Sequence, residues 1–322
     1  MLRSMYSGIS GLKNFQTKLD VIGNNISNVN TYGFKKERTI FKDLISQTQA
    51  GASGATATRG GVNAKQVGLG AQLAAIDTVH GTGALQSTGR TLDLAIEGEG
   101  FFMVAESTAA PEDGVIDGEG YPANTKYTRA GNFYMDKNGY LVNADGYYLV
   151  GHATDELSVS ADGDTIDGTG FDGADRLENE GTETLFDENG SLAEVDGIGP
   201  IRIPTTAQSM TIQQDGTISY VDYKGDLQYA GQIIMAKFPN AEGLQKQGSN
   251  YFQATANSGI PYGQVATVAG IGSIQSGFLE MSNVDLSEEF TEMIVAQRGF
   301  QANSRIITTS DEILQELVNL KR

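Results

Sequence analysis

The residues able to carry chemistry in this 322-residue chain are few and poorly spaced for it. Neither of its two histidines, His80 and His152, stands beside a serine nucleophile motif or at metal-ligand spacing, so acid–base and nucleophilic catalysis lack their parts. Both read as isolated surface or turn residues. The absence of cysteine removes disulfides, zinc–thiolate sites and thiol nucleophiles together, and leaves the redox compartment open. "DGDTIDGTGFDGAD", Asp162 to Asp175, has the texture of a calcium loop, but Ile166 takes the fifth loop position and Gly168 falls off register. An acidic loop that attracts cations weakly fits better. The glycines of "GIGSIQSG", Gly270 to Gly277, miss the dinucleotide spacing and precede the strand-like "FLEMS", so they read as turn glycines. Asn25-Ile26-Ser27 and Asn189-Gly190-Ser191 match the glycosylation sequon, a pattern short enough to arise by chance. No catalytic, cofactor-binding or metal-ligating residue is expected, and the chain reads as a non-enzyme.

Charge narrows the partners. Forty acidic residues against twenty-two basic ones give a net charge of −18, which repels nucleic acid and anionic membranes. Fourteen of the acidic residues fall between His152 and Pro200, where Arg176 is the one base. Such a segment reads as an inserted, solvent-facing subdomain kept soluble by its charge. No apolar run approaches the length of a membrane span, and "MLRSMYSGISGLKNFQ" lacks the uninterrupted apolar stretch of a secretory signal peptide. Neither membrane insertion nor a cleaved signal is expected.

With no reaction centre to position, the elements themselves become the informative feature. Met5, Ile9, Leu12, Phe15, Leu19, Ile22, Ile26 and Val29 recur every three or four residues, the mark of a helix with one apolar stripe. Near the other end Leu286, Met293, Phe300, Ile307 and Leu314 are spaced by seven, with Phe290 and Val318 at a second seam position whose remaining sites, Gln297, Ser304 and Asp311, are polar. Asp285 is placed to cap that helix, with Asn283 and Ser287 as competing caps, and Glu288 and Glu289 suit its positive end. Between the helices, "LDLAIEG", "FFMVAE", "YLVNADGYYLVG", "GTISYVDY" and "YAGQIIMAKF" read as short antiparallel strands. "DKNGYL", "NADGYY", "DENGSL" and "QDGTIS" carry the Asn-Gly or Asp-Gly pairs that tight hairpins favour.

The expected fold class is α+β. The N- and C-terminal helices, 1–32 and 282–322, pair as a coiled-coil-like inner domain; 33–70, with the flexible "GASGATATRGG", is an extended arm; 71–151 and 208–281 form a β-rich antiparallel body; and 152–207 is the small acidic outer subdomain. Small and amide residues such as Gly8, Gly11, Asn24, Asn25 and Asn28 on the first helix, and Ala302, Asn303 and Ser304 on the second, permit close helix approach within or between subunits. A self-assembling structural protein follows. A secreted binding module with an oligomerising stalk is the alternative of another class; it calls for an aromatic-lined pocket, and none is visible.

"GNNISNVNTYGFKKE" near the start and "SGFLEMSNVDLSEEFTEMIVAQRGFQANSRIITTSDEILQELVNL" near the end resemble the two terminal signatures of the bacterial flagellar rod and hook axial proteins. "LQSTGRTLDLAIEGEGFFMV", "YTRAGNFYMDKNGYLVNADGYYLVG" and "GQIIMAKFPNAEGLQKQGSNYF" are similar to that family's body motifs, so the resemblance spans nearly the whole chain except about 106–126 and 152–207.

The resemblance implies a subunit exported unfolded by the flagellar type III apparatus and polymerised with copies of itself in the basal body and hook, outside the cell. It implies as partners other copies, rod and hook–filament junction proteins, the hook cap and the export apparatus, with no cofactor. The terminal helices would form a tube around the channel, placing Met5, Ile9, Leu12, Leu19, Ile26, Leu286, Phe290, Met293, Phe300, Ile307 and Leu314 at the assembly interface. Asn24, Asn25, Asn28, Asn30 and Thr31 would satisfy backbone groups where the first helix ends, with Gly33 permitting the turn. Length, the acidic insertion and the C-terminal signature look closer to the curved hook, a universal joint passing torque from rod to filament, than to the straight distal rod.

Overall fold

The computed structural model describes residues 2–56, 58–106, 125–153, 158–159, 166–167, 198–268 and 270–320. They form two compact units, one of Met1–Val29, Lys35–Val79 and Val284–Arg322, the other of Asn30–Phe34 and His80–Asn283.

The first unit holds both long helices, α1 (Leu2–Ser27) and α2 (Leu286–Leu320), with four strands, β1 (Glu37–Asp43), β2 (Ser46–Ala50), β3 (Lys65–Gly68) and β4 (Ala71–Thr78). Asp285 is the N-cap of α2: its Oδ1 accepts from the backbone N–H of Ser287 at 2.8 Å and of Glu288 at 3.4 Å, satisfying donors that the helix leaves open. At its C-terminal end α1 closes on its own amides, where Asn28 Nδ2 donates to both the carbonyl and the Oδ1 of Asn24 at 3.0 Å.

The arm expected over 33–70 is paired strand instead. β1 runs antiparallel to β4 from Glu37 opposite Thr78 to Asp43 opposite Ala71, and β2 pairs with β3. The Gly-rich stretch is the tip of that second hairpin, bridged at Ser53 with Val62 and Thr56 with Arg59. Every residue of β2 and β3 is exposed, so no inside–outside alternation marks them in the sequence. β4, expected in the β-rich body, belongs with the helices: α1 packs against α2 on one side and against β1 and β4 on another.

In the second unit a twelve-stranded antiparallel sheet runs through the strands 209–212, 217–221, 227–237, 148–153, 101–105, 126–128, 251–253 and 245–248, with shorter strands branching from it. Its central strands are buried on both faces, and the two-residue period of a strand sends successive side chains into different cores. Phe102, Val104, Leu149, Ile233 and Met235 fill one; Phe101, Met103, Val150, Ile234 and Ala236 fill the other. Each such fully buried Val, Leu, Ile, Phe or Met side chain contributes about 1.5–3 kcal/mol. Strand Ser273–Ser276 pairs with Leu94–Glu97, and Phe278–Glu280 with Leu85–Ser87, so the glycines of "GIGSIQSG" do stand at strand ends.

The insertion is shorter than its expected 152–207. Ile198–Pro200 pairs with the 148–153 strand, and Ile201 and Ile203 are buried in the body core, because these apolar residues complete a sheet face. The calcium-like loop lies outside the described residues except for Ile166–Asp167, which pairs with Ser158–Val159.

Candidate assembly site

The helices of the first unit pair antiparallel. Moving along α1, Gly8 lies against Ile307, Gly11 against Asn303 and Phe15 against Gly299, while Lys18 bridges to Glu292 at 3.0 Å. Close approach depends on Gly299: a Cβ there would stand 2.5 Å from the Phe15 ring, so the ring occupies the space that any other residue would claim.

The face of α2 turned inward carries Glu289, Glu292, Met293, Ala296, Gly299, Asn303, Ile307, Ser310 and Leu314, the buried and half-buried positions of the helix. Met293, Ile307 and Leu314 thus lie where their seven-residue spacing suggests. The second seam position falls one residue earlier than expected, at Glu289, Ala296, Asn303 and Ser310 rather than at Phe290, Gln297, Ser304, Asp311 and Val318. A seam of small and amide residues carries no hydrophobic signal.

Outward apolar residues are correspondingly many. Leu286 is 40%, Phe290 50% and Phe300 37% exposed, joined by Ile294, Val295, Ile306, Ile313, Leu317 and Val318. On α1, Met5, Leu12, Leu19 and Ile26 are half-buried, whereas Ile9 is 49% exposed beside the exposed Tyr6. Leaving so much apolar surface in water is unusual for a finished monomer and marks an interaction site.

Asn25 does more than end a helix. Its Nδ2 donates to the Glu37 carbonyl at 2.8 Å, its Oδ1 accepts from the Glu37 N–H at 3.0 Å, and Nδ2 also donates to Glu289 Oε2 at 3.3 Å. One carboxamide therefore meets the start of β1 as a neighbouring strand would, and joins it to α2. Glu289, expected to suit the positive end of α2, is also buried, because it completes this cluster together with Lys36, which lies 3.4 Å from Glu289 and 2.8 Å from Glu288. Partial burial works against the Lys36 charge, but the hydrogen bond and charge of Glu288, with the charge of Glu289, outweigh it and hold its pKa above the ordinary lysine value.

In the second unit, two residues of the family-like motifs find each other without any signal in their spacing. Arg129 donates to Glu280 at 3.3 Å and to the Gly98 carbonyl at 2.8 Å, while Glu280 accepts from the Gly83 N–H at 2.9 Å through its side chain and from the Gly33 N–H at 2.8 Å through its backbone. Burial lowers the Arg129 pKa, opposed by the Glu280 charge. Gly33 is needed here, since it adopts φ +70° and a Cβ would stand 2.6 Å from the Ala130 nitrogen. Asn30 is exposed and falls in this unit, apart from the other asparagines of the motif. His80, expected on the surface or in a turn, packs edge-on against Phe101 and Phe252, and His152 lies half-buried on the 148–153 strand. Among the described residues no cluster of acidic residues or histidines is placed to hold a metal ion, and no helix is long and apolar enough to cross a membrane.

A protein whose terminal helices pair through small residues while leaving apolar faces outward is built to meet other chains. Three family models match it: "Flagella basal body rod protein" over residues 5–35, "Flagellar hook protein FlgE/F/G D1 domain" over 95–220, and "Flagellar basal body rod FlgEFG protein C-terminal" over 275–320. The chain is 52% identical over 328 residues to the flagellar basal-body rod protein FlgG of Bacillus subtilis and 33% identical over 461 residues to the flagellar hook protein FlgE of Borreliella burgdorferi, covering 100% of both chains in each case. A hook protein of known structure, FlgE2 of Helicobacter pylori, aligns with 61% of this chain and 100% of its own at 11% identity and a TM-score of 0.38. This chain belongs to the flagellar rod and hook axial protein family, and is a structural component of the flagellum.

Proposed function

We propose that this chain is a distal-rod subunit, polymerising through its terminal helices into a straight, hollow drive shaft. The observation that carries the assembly mode is the outward apolar surface of the antiparallel α1–α2 pair, with Phe290 half exposed and Val295 58% exposed. In a tube of packed copies these side chains leave water, at about 25 cal/mol for each Å² buried. The identity of 52% with a rod protein matched end to end over 328 residues supports rod over hook, because it removes length as a ground for preferring the hook.

The hook reading keeps one specific support, the acidic stretch from 152 to 200. On either reading the terminal helices line the inner tube. The subunit leaves the cell unfolded through the flagellar type III apparatus and meets neighbouring rod, hook and cap proteins. The role is mechanical, without a catalytic step.

Electron microscopy of the purified full chain under polymerising salt tests the choice. Straight cylinders are expected; curved tubes would replace the rod reading with the hook.

A further inference from the structure

The second unit holds a small cleft of about 270 Å³ that the helices do not use. Four stretches of chain converge on it: 30–32, which carries the Asn30 set apart from its motif, 128–132, the hairpin turn at 143–145 and the turn at 249–251. Ser249 and Asn250 link the strands 245–248 and 251–253 with φ of +49° and +63°, a left-handed conformation that residues with a Cβ seldom adopt. Asn250 is fixed there twice, its carbonyl accepting from Thr128 Oγ1 and its Nδ2 donating to the Tyr32 carbonyl, each at 3.0 Å. Another wall is fixed as well: Asn143 Nδ2 donates to the Tyr251 hydroxyl at 2.6 Å, and that hydroxyl donates to Asp145 Oδ2. The walls are therefore preformed, as ligand sites usually are.

The groups left open on these walls identify what fits. Among the described residues the carboxamides of Asn30 and Asn132 and the hydroxyl of Ser249 have no bonding partner, and Asp145 keeps its Oδ1. Asn30, Asp145 and Ser249 are exposed and Asn132 is half-buried, so an entering molecule can meet all four. No lysine or arginine is among the lining residues, so an anion would find no counter-charge and would meet Asp145. A cation would compete with Tyr251 for that one carboxylate. Aliphatic lining is limited to Ala130 and Ala144, too little to seat the hydrophobic anchor by which a docking peptide holds on. What remains is a small neutral molecule dense in donors and acceptors, with some carbon surface to set against Tyr32 and Tyr251.

We infer that this cleft binds one neutral sugar unit of a glycan, its hydroxyls on Asn30, Asn132, Ser249 and Asp145 Oδ1 and its carbon face towards the tyrosines. The net charge of −18 does not oppose such a ligand, as it would an anionic one. Few contacts in so small a cleft make for weak binding, with a Kd of about 1 mM. Nothing in this depends on the choice between rod and hook.

Saturation-transfer difference NMR detects binding of that strength. The full chain is titrated with neutral di- and trisaccharides of glucose, galactose, mannose and N-acetylglucosamine, and separately with the blocked neutral peptide acetyl-Ser-Asn-Gly-amide. At least one sugar should show saturation transfer. The double variant Asn30→Ala, Asn132→Ala should bind it about tenfold more weakly with the thermal midpoint unchanged. Asn30→Ala with Ser249→Ala, both at exposed positions, repeats the comparison should the Asn132 change disturb the fold. Transfer to no sugar, transfer to the peptide alone, or equal binding by the folded variants would overturn the inference.

Discussion

The carboxamide of Asn25 and the peptide group of Glu37 bond to each other in both directions, at 2.8 and 3.0 Å, across twelve residues of chain. A side chain here takes the place of a strand partner, and the same nitrogen reaches Glu289, 264 residues away in sequence. This one residue ties the end of the first helix to the first strand and to the second helix.

Asn25→Ala removes those bonds from the half-buried peptide group of Glu37 and from Glu289, whose carboxylate keeps its ion pair with Lys36. The expected loss is about 1–3 kcal/mol, the range for a polar group that loses its hydrogen-bond partner on burial. Urea unfolding followed by circular dichroism measures it; a change below the error of the midpoint would show the cluster to be incidental.

Gly299→Val should cost about 1–3 kcal/mol, the usual range for overpacking, because its side chain invades the space of the Phe15 ring. Shortening that ring in the double variant Phe15→Ala, Gly299→Val should cost less than the two single changes added together. Additive losses in a double-mutant cycle would mean that the two residues do not share one space.

The Lys36 cluster carries a pH signature. A lysine whose pKa is raised on folding stabilises the protein below its unfolded pKa of about 10.5, and that contribution fades as pH rises through the higher folded value. Between about pH 10 and 12 the wild type should therefore lose more urea resistance than Lys36→Met does. Equal losses in the two proteins would remove Lys36 from the account.

The helices, the Asp285 cap, the hairpin turns of "DKNGYL", "NADGYY" and "QDGTIS" and the central strands were legible in the sequence because each obeys a local rule of period or turn chemistry, while "DENGSL" lies outside the described residues. What stayed hidden depends on partners distant in the chain. Nothing about Arg129 and Glu280 in isolation announces a buried pair spanning 151 residues. The inward seam of α2 was displaced by one residue because Glu289, Ala296, Asn303 and Ser310 look like surface residues, while Phe290 and Val318, which look like core, point outward. Strands β2 and β3 were missed because they face water on both sides. Apolar pattern reports burial in whatever assembly forms, and for this chain the helix faces that appear misplaced in one copy are those available to the next.

That claim is tested most directly by electron microscopy of the full chain beside Phe290→Asp under polymerising salt, with circular dichroism of both. Phe290 is half exposed in one copy, so aspartate there should leave the fold intact, yet in an assembled tube it would bury an unpaired charge. The account predicts straight hollow cylinders from the wild type and discrete, folded particles from the variant. Cylinders of normal length from both proteins would contradict it.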